Sequence, residues 1–144
     1  MLRTGSAQID AEQAFTSMSR ARRRAAVARR LRRAPSCAGR LDVYDERKLQ
    51  IGVPRPTRPL REIPLDSIRG TLEPGKAELF DRDFRPASPA RRRWQQLWMA
   101  EERGAPLPPI SVVAVRDGYV LVDGHHRVSI ASARGAATID AVVS

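Results

Sequence analysis

Two runs of β-branched residues flank a turn signal between positions 110 and 123, and they restrict the fold more than any other feature. Val112, Val113 and Val115 face Tyr119, Val120 and Val122 across Asp117-Gly118. That dipeptide suits a tight type I′ turn, so the segment is expected to be a β-hairpin. The hairpin hands the chain to Asp123-Gly124. A helix is expected from about His126 to Arg134, closed by Gly135, and "ATIDAVV" reads as a last strand. Strands interleaved with helices point to an α+β domain over residues 60–144 with a mixed sheet.

Upstream of the hairpin, "SPARRRWQQLWMAEERG" reads as a helix. Ser88 is expected to be its N-cap, Pro89 to take the first position, and Gly104 to stop it. Trp94, Leu97 and Trp98 share one face, the pattern of a core rather than of a ligand box. "REIPLDSI" suits a short strand and a turn through Ile63, Leu65 and Ile68. Between them lies a long charged loop in which Glu73, Glu78, Asp81 and Asp83 are carboxylates within reach of a site.

The net charge of +10 is distributed unevenly. Residues 1–40 carry ten arginines against Asp10 and Glu12, a balance of +8, whereas the other 104 residues carry only +2. The basicity therefore belongs to an N-terminal arm. From Asp10 to Arg33 the chain lacks Gly and Pro and is rich in Ala and Arg, so this arm is expected to be helical. Asp10 and Gln13 resemble a capping box, and Pro35 and Gly39 mark the end. Phe15, Met18, Ala21, Ala25, Ala28 and Leu31 form a weak apolar stripe. Arg20, Arg22, Arg23, Arg24, Arg29, Arg30, Arg32 and Arg33 are the residues through which the arm would neutralise phosphates of a nucleic acid. A GC-rich genome produces the same Arg and Ala bias. Residues 41–59 read as a linker with a short helix at 41–49, followed by the extended stretch "GVPRPTRP". No apolar run approaches the roughly 20 residues of a membrane helix. The N-terminus lacks the apolar segment of a secretory signal, so a cytoplasmic location is the expectation. The single cysteine, Cys37, has no partner for a disulfide and reads as a spare thiol.

The stretch "VDGHHRVSIASARG", residues 122–135, carries the chemistry. Gly124 allows the backbone to approach a ligand closely, and the first N–H groups of the new helix have no partners within it. Unpaired donors at the positive end of the helix dipole favour an anion. Arg127 adds a fork suited to phosphate, and His125 and His126 add hydrogen bonds or a movable proton. Adjacent histidines diverge by about 100° on a helix, so no dedicated metal site is expected. The same residues also allow a purely structural arrangement, with Asp123 as a cap.

The order "IPLDSI", long loop, helix and "PPISVVAVRDGYVLVDGHHRVSIASARGAATIDAVV" resembles the ParB/sulfiredoxin superfamily over residues 60–144. The resemblance implies a small mixed sheet with helices, preceded here by the Arg-rich helical arm. In ParB proteins of this superfamily the corresponding turn reads Gly-Glu-Arg-Arg and binds the triphosphate of CTP. In sulfiredoxins it reads Gly-Cys-His-Arg and holds ATP phosphates, while free-serine kinases carry Asp-Gly-His-His-Arg, as residues 123–127 do here. His125 stands where sulfiredoxins have their catalytic cysteine, which argues against sulfinic acid reduction. The resemblance implies a nucleotide- or phosphate-binding protein that takes ATP, ADP or CTP with Mg2+ on Gly124, His125, His126 and Arg127. An alternative is a phosphotransferase or nucleotide hydrolase acting on a small, serine-like hydroxyl substrate. Glu73 or Asp66 is then the base, and Asp123 orients substrate or metal. A third reading is a DNA-binding or partition accessory protein acting through the arm.

Overall fold

The structure, a computed structural model, describes residues 5–49 and 59–144. The extended stretch expected at 52–59 lies outside the described residues except for its last proline. Five strands form one mixed sheet: β1 (Leu60–Pro64), β2 (Ile68–Thr71), β3 (Ile110–Val115), β4 (Gly118–Asp123) and β5 (Thr138–Val143). Their order is β1-β5-β3-β4-β2. The β1/β5 and β3/β4 pairs are antiparallel, while β3/β5 and β2/β4 are parallel. "REIPLDSI" therefore supplies two strands rather than one. A 3-10 turn at Leu65–Ser67 separates them, and they end on opposite edges of the sheet.

The hairpin forms as the two β-branched runs require, but Val115 pairs with Gly118. Arg116 and Asp117 therefore occupy the tip, one residue earlier than the Asp-Gly signal suggests. Gly118 is already the first residue of β4.

Helix α1 spans Ala7–Leu31, α2 Glu46–Leu49, α3 Arg91–Glu102 and α4 His125–Ala133. The cap of α1 is Ser6, whose Oγ accepts from the Ile9 amide at 3.4 Å, not the Asp10/Gln13 pair expected. Asp10 lies one turn inside the helix and is buried. Nor does Ser88 cap α3: it opens a 3-10 turn over Ser88–Ala90, and the helix starts after it with no side-chain cap. The segment expected to be helical from Leu41 begins its helix only at Glu46. Before that it runs along the free edge of β2. The Tyr44 amide donates to the Thr71 carbonyl, and the Thr71 amide donates to the Asp42 carbonyl, both at 2.8 Å. An unpaired sheet edge outweighs the modest helix propensity of those residues.

The first helix is not a detached arm. Ala11, Ala14 and Phe15 are fully buried in the same core as Trp94, Trp98, Ile110, Val112, Leu121 and Ile130. Phe15 meets Trp94 edge to face, with ring centroids 5.6 Å apart, and the Arg91 guanidinium lies 4.7 Å over the Phe15 ring. Trp94 stacks on Trp98 at 5.3 Å, and its Nε1 donates to Ser129 Oγ of α4 at 2.8 Å. The packed face ends near Ser19. Leu31, expected on the apolar stripe, is 81% exposed. Truncating a fully buried aromatic typically costs about 3–5 kcal/mol. Phe15→Ala is therefore expected to destabilise the whole domain by about that amount, in one transition seen alike by tryptophan fluorescence and far-ultraviolet circular dichroism. Melting of α1 ahead of the sheet would show that it folds separately.

Candidate functional site

Strand β4 ends at Asp123, and α4 begins two residues later, which forces a sharp change of direction at Gly124. Its φ is +112°, and a Cβ there would sit 2.5 Å from Ile110 Cγ2. Glycine is thus required both by the backbone angle and by the space. No side chain caps α4, so the amides of its first turn depend on partners outside the helix. Gly124 and His125 are buried, whereas His126 and Arg127 are half-buried, so the turn opens to solvent on the His126 side.

His125 points inward. Its Nε2 lies 2.6 Å from Thr71 Oγ1, and the Glu73 amide donates to the same hydroxyl at 2.9 Å. Phe80 covers both histidines, with its ring 6.3 Å from that of His125 and 5.1 Å from that of His126. The long charged loop is therefore a built wall beside the turn. Buried Asp81 shapes it by accepting the Asp83 and Arg85 amides at 3.0 and 2.8 Å. Phe84, which takes a left-handed φ of 58°, completes that bend.

Burial pushes both imidazoles down to about 4, and neighbouring cations reinforce the effect. Lys76 acts on both rings, Arg93 acts on His126, and Arg127 acts on both. The histidines are neutral at pH 7, so positive potential at this helix start comes from Lys76, Arg93, Arg127 and the helix dipole, with Asp123, ion-paired to Arg127, opposing it. Neither Lys76 nor Arg93 was marked by the sequence. They lie far from residues 123–127 along the chain and are brought there by the wall and by the first turn of α3.

Arg127 does not serve as the free fork that the sequence suggested. Its Nη1 donates to the carbonyls of Pro108 and Pro109, both at 2.7 Å, and its Nη2 donates to Asp123 Oδ2 at 3.0 Å. It clamps the loop before β3 to the end of β4, and its charge, rather than its geometry, is what reaches the turn. Asp123 is thereby held by Arg127, and the N-cap position falls on Gly124, which has no side chain to cap α4. Glu73 is exposed on the segment next to Thr71. Asp66 is not brought to the turn. It lines a cavity of about 610 Å³ that runs along α4 from Val128 to Gly135 and Ala136 and is closed on one side by Asp83 and Phe84 of the wall. Among the described residues, no three His, Cys, Asp or Glu side chains converge in a way that could hold a metal ion. No helix among them is long and apolar enough to cross a membrane.

No protein-family model matches the chain, and no curated protein matches it. The fold is similar to the crystal structure of sulfiredoxin from Arabidopsis thaliana, at 22% identity and a TM-score of 0.44. The match covers 59% of this chain and 83% of that one. The likeness is one of fold and assigns no activity to this chain.

The lowered histidine values have a consequence for stability. An unfolded histidine titrates near 6.5, so between about 6.5 and 4 the unfolded chain holds more protons than the folded one, and stability falls as pH falls through that window. For buried His125 the full loss is on the order of 3 kcal/mol. Denaturant titrations from pH 7 to pH 4.5 are expected to show this decline. His125→Gln, which keeps a polar group near Thr71, is expected to make it shallower, with the His126 contribution remaining. An equal slope in the variant would show that His125 is not held neutral.

Proposed function

We propose that this chain binds the phosphates of a nucleotide at the first turn of α4. The observation that carries the reading is a helix start that begins at a left-handed Gly124 and that no side chain caps, with Lys76, Arg93 and Arg127 near enough to disfavour a positive charge on His126. Amides aimed outward supply directional hydrogen bonds, and the lysine and arginines supply the opposite charge. Neutral His125 and His126 add no charge of their own but can each donate one hydrogen bond. The "DGHHR" stretch, similar to the phosphate-holding turn of the ParB/sulfiredoxin superfamily, agrees with this reading.

The roles within the site differ from those the sequence suggested. We assign Lys76 and Arg93, whose charges reach the histidines, to the phosphate oxygens and Arg127 to positioning the turn. His125 anchors the turn to Thr71 and the wall. A nucleotide is expected to arrive with Mg2+, and the carboxylates we assign to it are Asp123, next to Gly124, and Glu73, whose amide shares the Thr71 hydroxyl with His125. A magnesium ion needs only one or two such ligands.

Calorimetric titration of the full chain with ATP, ADP and CTP, each with Mg2+, tests the proposal. Charged hydrogen bonds contribute about 1.5–3 kcal/mol each, so Lys76→Ala and Arg93→Ala are each expected to weaken binding by about 10- to 100-fold. Heats indistinguishable from dilution for all three nucleotides, or affinity unchanged in both variants, would defeat it.

A further inference from the structure

The C-terminal half of α1 carries a charge pattern that the α4 site does not use. From position 13 to position 41 the chain has nine arginines and no acidic residue. Among the described residues, none of Arg20, Arg24, Arg30, Arg32 and Arg33 makes a salt bridge, and Arg23 has only a weak 3.4 Å contact to Ser19 Oγ. The arrangement around the helix is ordered. Ala11, Ala14, Phe15 and Ser19 define the buried face, and Arg22 and Arg29, both half-buried, continue it. Arg20, Arg23, Arg24 and Arg30 are exposed and fall within an arc of about 120° on the opposite face, spread along about 15 Å of helix axis. Gln13, Thr16 and Ser17 extend that face toward the N-terminus, where Glu12, its one acidic residue, ends the basic row on an open surface.

Because Phe15 fixes the first half of the helix to Trp94, the basic half is held at a set angle to the body and is not a floating tail. A fixed row of unpaired guanidinium groups is a surface for a polyanion. Its width and composition favour one kind. A helix that lies in a bilayer surface needs a broad apolar face opposite its charges, and here that opposite face is spent on the protein core. Val27 and Leu31, 53% and 81% exposed, are single aliphatics set among the arginines and do not make an apolar centre for a protein partner. The major groove of B-form DNA is about 12 Å wide and admits an α-helix, whereas that of A-form RNA is too narrow. We infer that the outward face of α1, through Arg20, Arg23, Arg24 and Arg30, binds the phosphate backbone of double-stranded DNA without reading its sequence.

Fluorescence anisotropy of the full chain with duplexes of about 20 base pairs and unrelated sequences tests this. Four neutralised phosphates give a log–log salt slope of about −3.6, or about a hundredfold loss of affinity between 50 and 200 mM salt. Glutamine keeps helix propensity close to that of arginine. The quadruple variant Arg20→Gln, Arg23→Gln, Arg24→Gln, Arg30→Gln is thus expected to keep its circular dichroism and nucleotide titrations while losing duplex binding. Arg24→Gln alone is expected to reduce the slope by about 0.9. The inference is overturned by absent duplex binding at 50 mM salt, by unchanged binding in the quadruple variant, by strong dependence on base sequence, or by tighter binding to duplex RNA or phosphatidylserine vesicles. None of these results bears on the α4 site, which the nucleotide titrations test separately.

Discussion

Gly124 sets the geometry on which the rest of the site depends. Its left-handed backbone lets β4 turn straight into α4, and Ile110 fills the space that any side chain there would need. The helix then starts without a side-chain cap, because its N-cap position is Gly124 itself. Half-buried amides without internal partners are costly unless something accepts from them. On the proposed reading an oxyanion is that acceptor, since it brings lone pairs together with the negative charge that a helix N-terminus favours.

Two opposing demands meet within a few residues. The fold buries His125 against Thr71 and Phe80, which requires a neutral ring, and it surrounds the same turn with Lys76, Arg93 and Arg127. Cations and burial act in the same direction on the imidazoles and keep them uncharged. The site thereby presents donors and fixed positive charge with no proton to lose near neutral pH. Arg127 contributes from behind, by tying the Pro108-Pro109 loop to the end of β4. This is a clamp on the two strands that position Gly124.

The hairpin, α3, α4 and the last strand are legible in the sequence because each rests on local signals: β-branched runs, tryptophan spacing, and glycines at the ends. Errors arose where a distant contact decides. The hairpin tip shifted by one residue because strand pairing, not the Asp-Gly signal, sets the register. Residues 41–45 joined the β2 edge in place of a helix because that edge was open. At the site, the turn itself was readable, but its electrostatic partners were not. Lys76 and Arg93 sit in a loop and a helix that only the tertiary fold brings beside residues 123–127. Arg127 looked like a phosphate fork because no local pattern reveals that the carbonyls of two prolines before β3 face it. Asp66 sits in a cavity bordered by Asp83, Phe84 and Val128, a placement that the separation of β1 and β2 onto opposite sheet edges decides and no local signal shows.

The central claim is that the first turn of α4 holds an oxyanion beside two neutral histidines. Proton NMR titration of the His125 and His126 imidazoles, with and without ATP and Mg2+, tests it most directly. A bound phosphate adds negative charge next to the rings, which favours their protonated forms, so both are expected to titrate upward from about 4 when the nucleotide is present. Identical titrations with and without nucleotide, at concentrations where it is in large excess, would contradict the account.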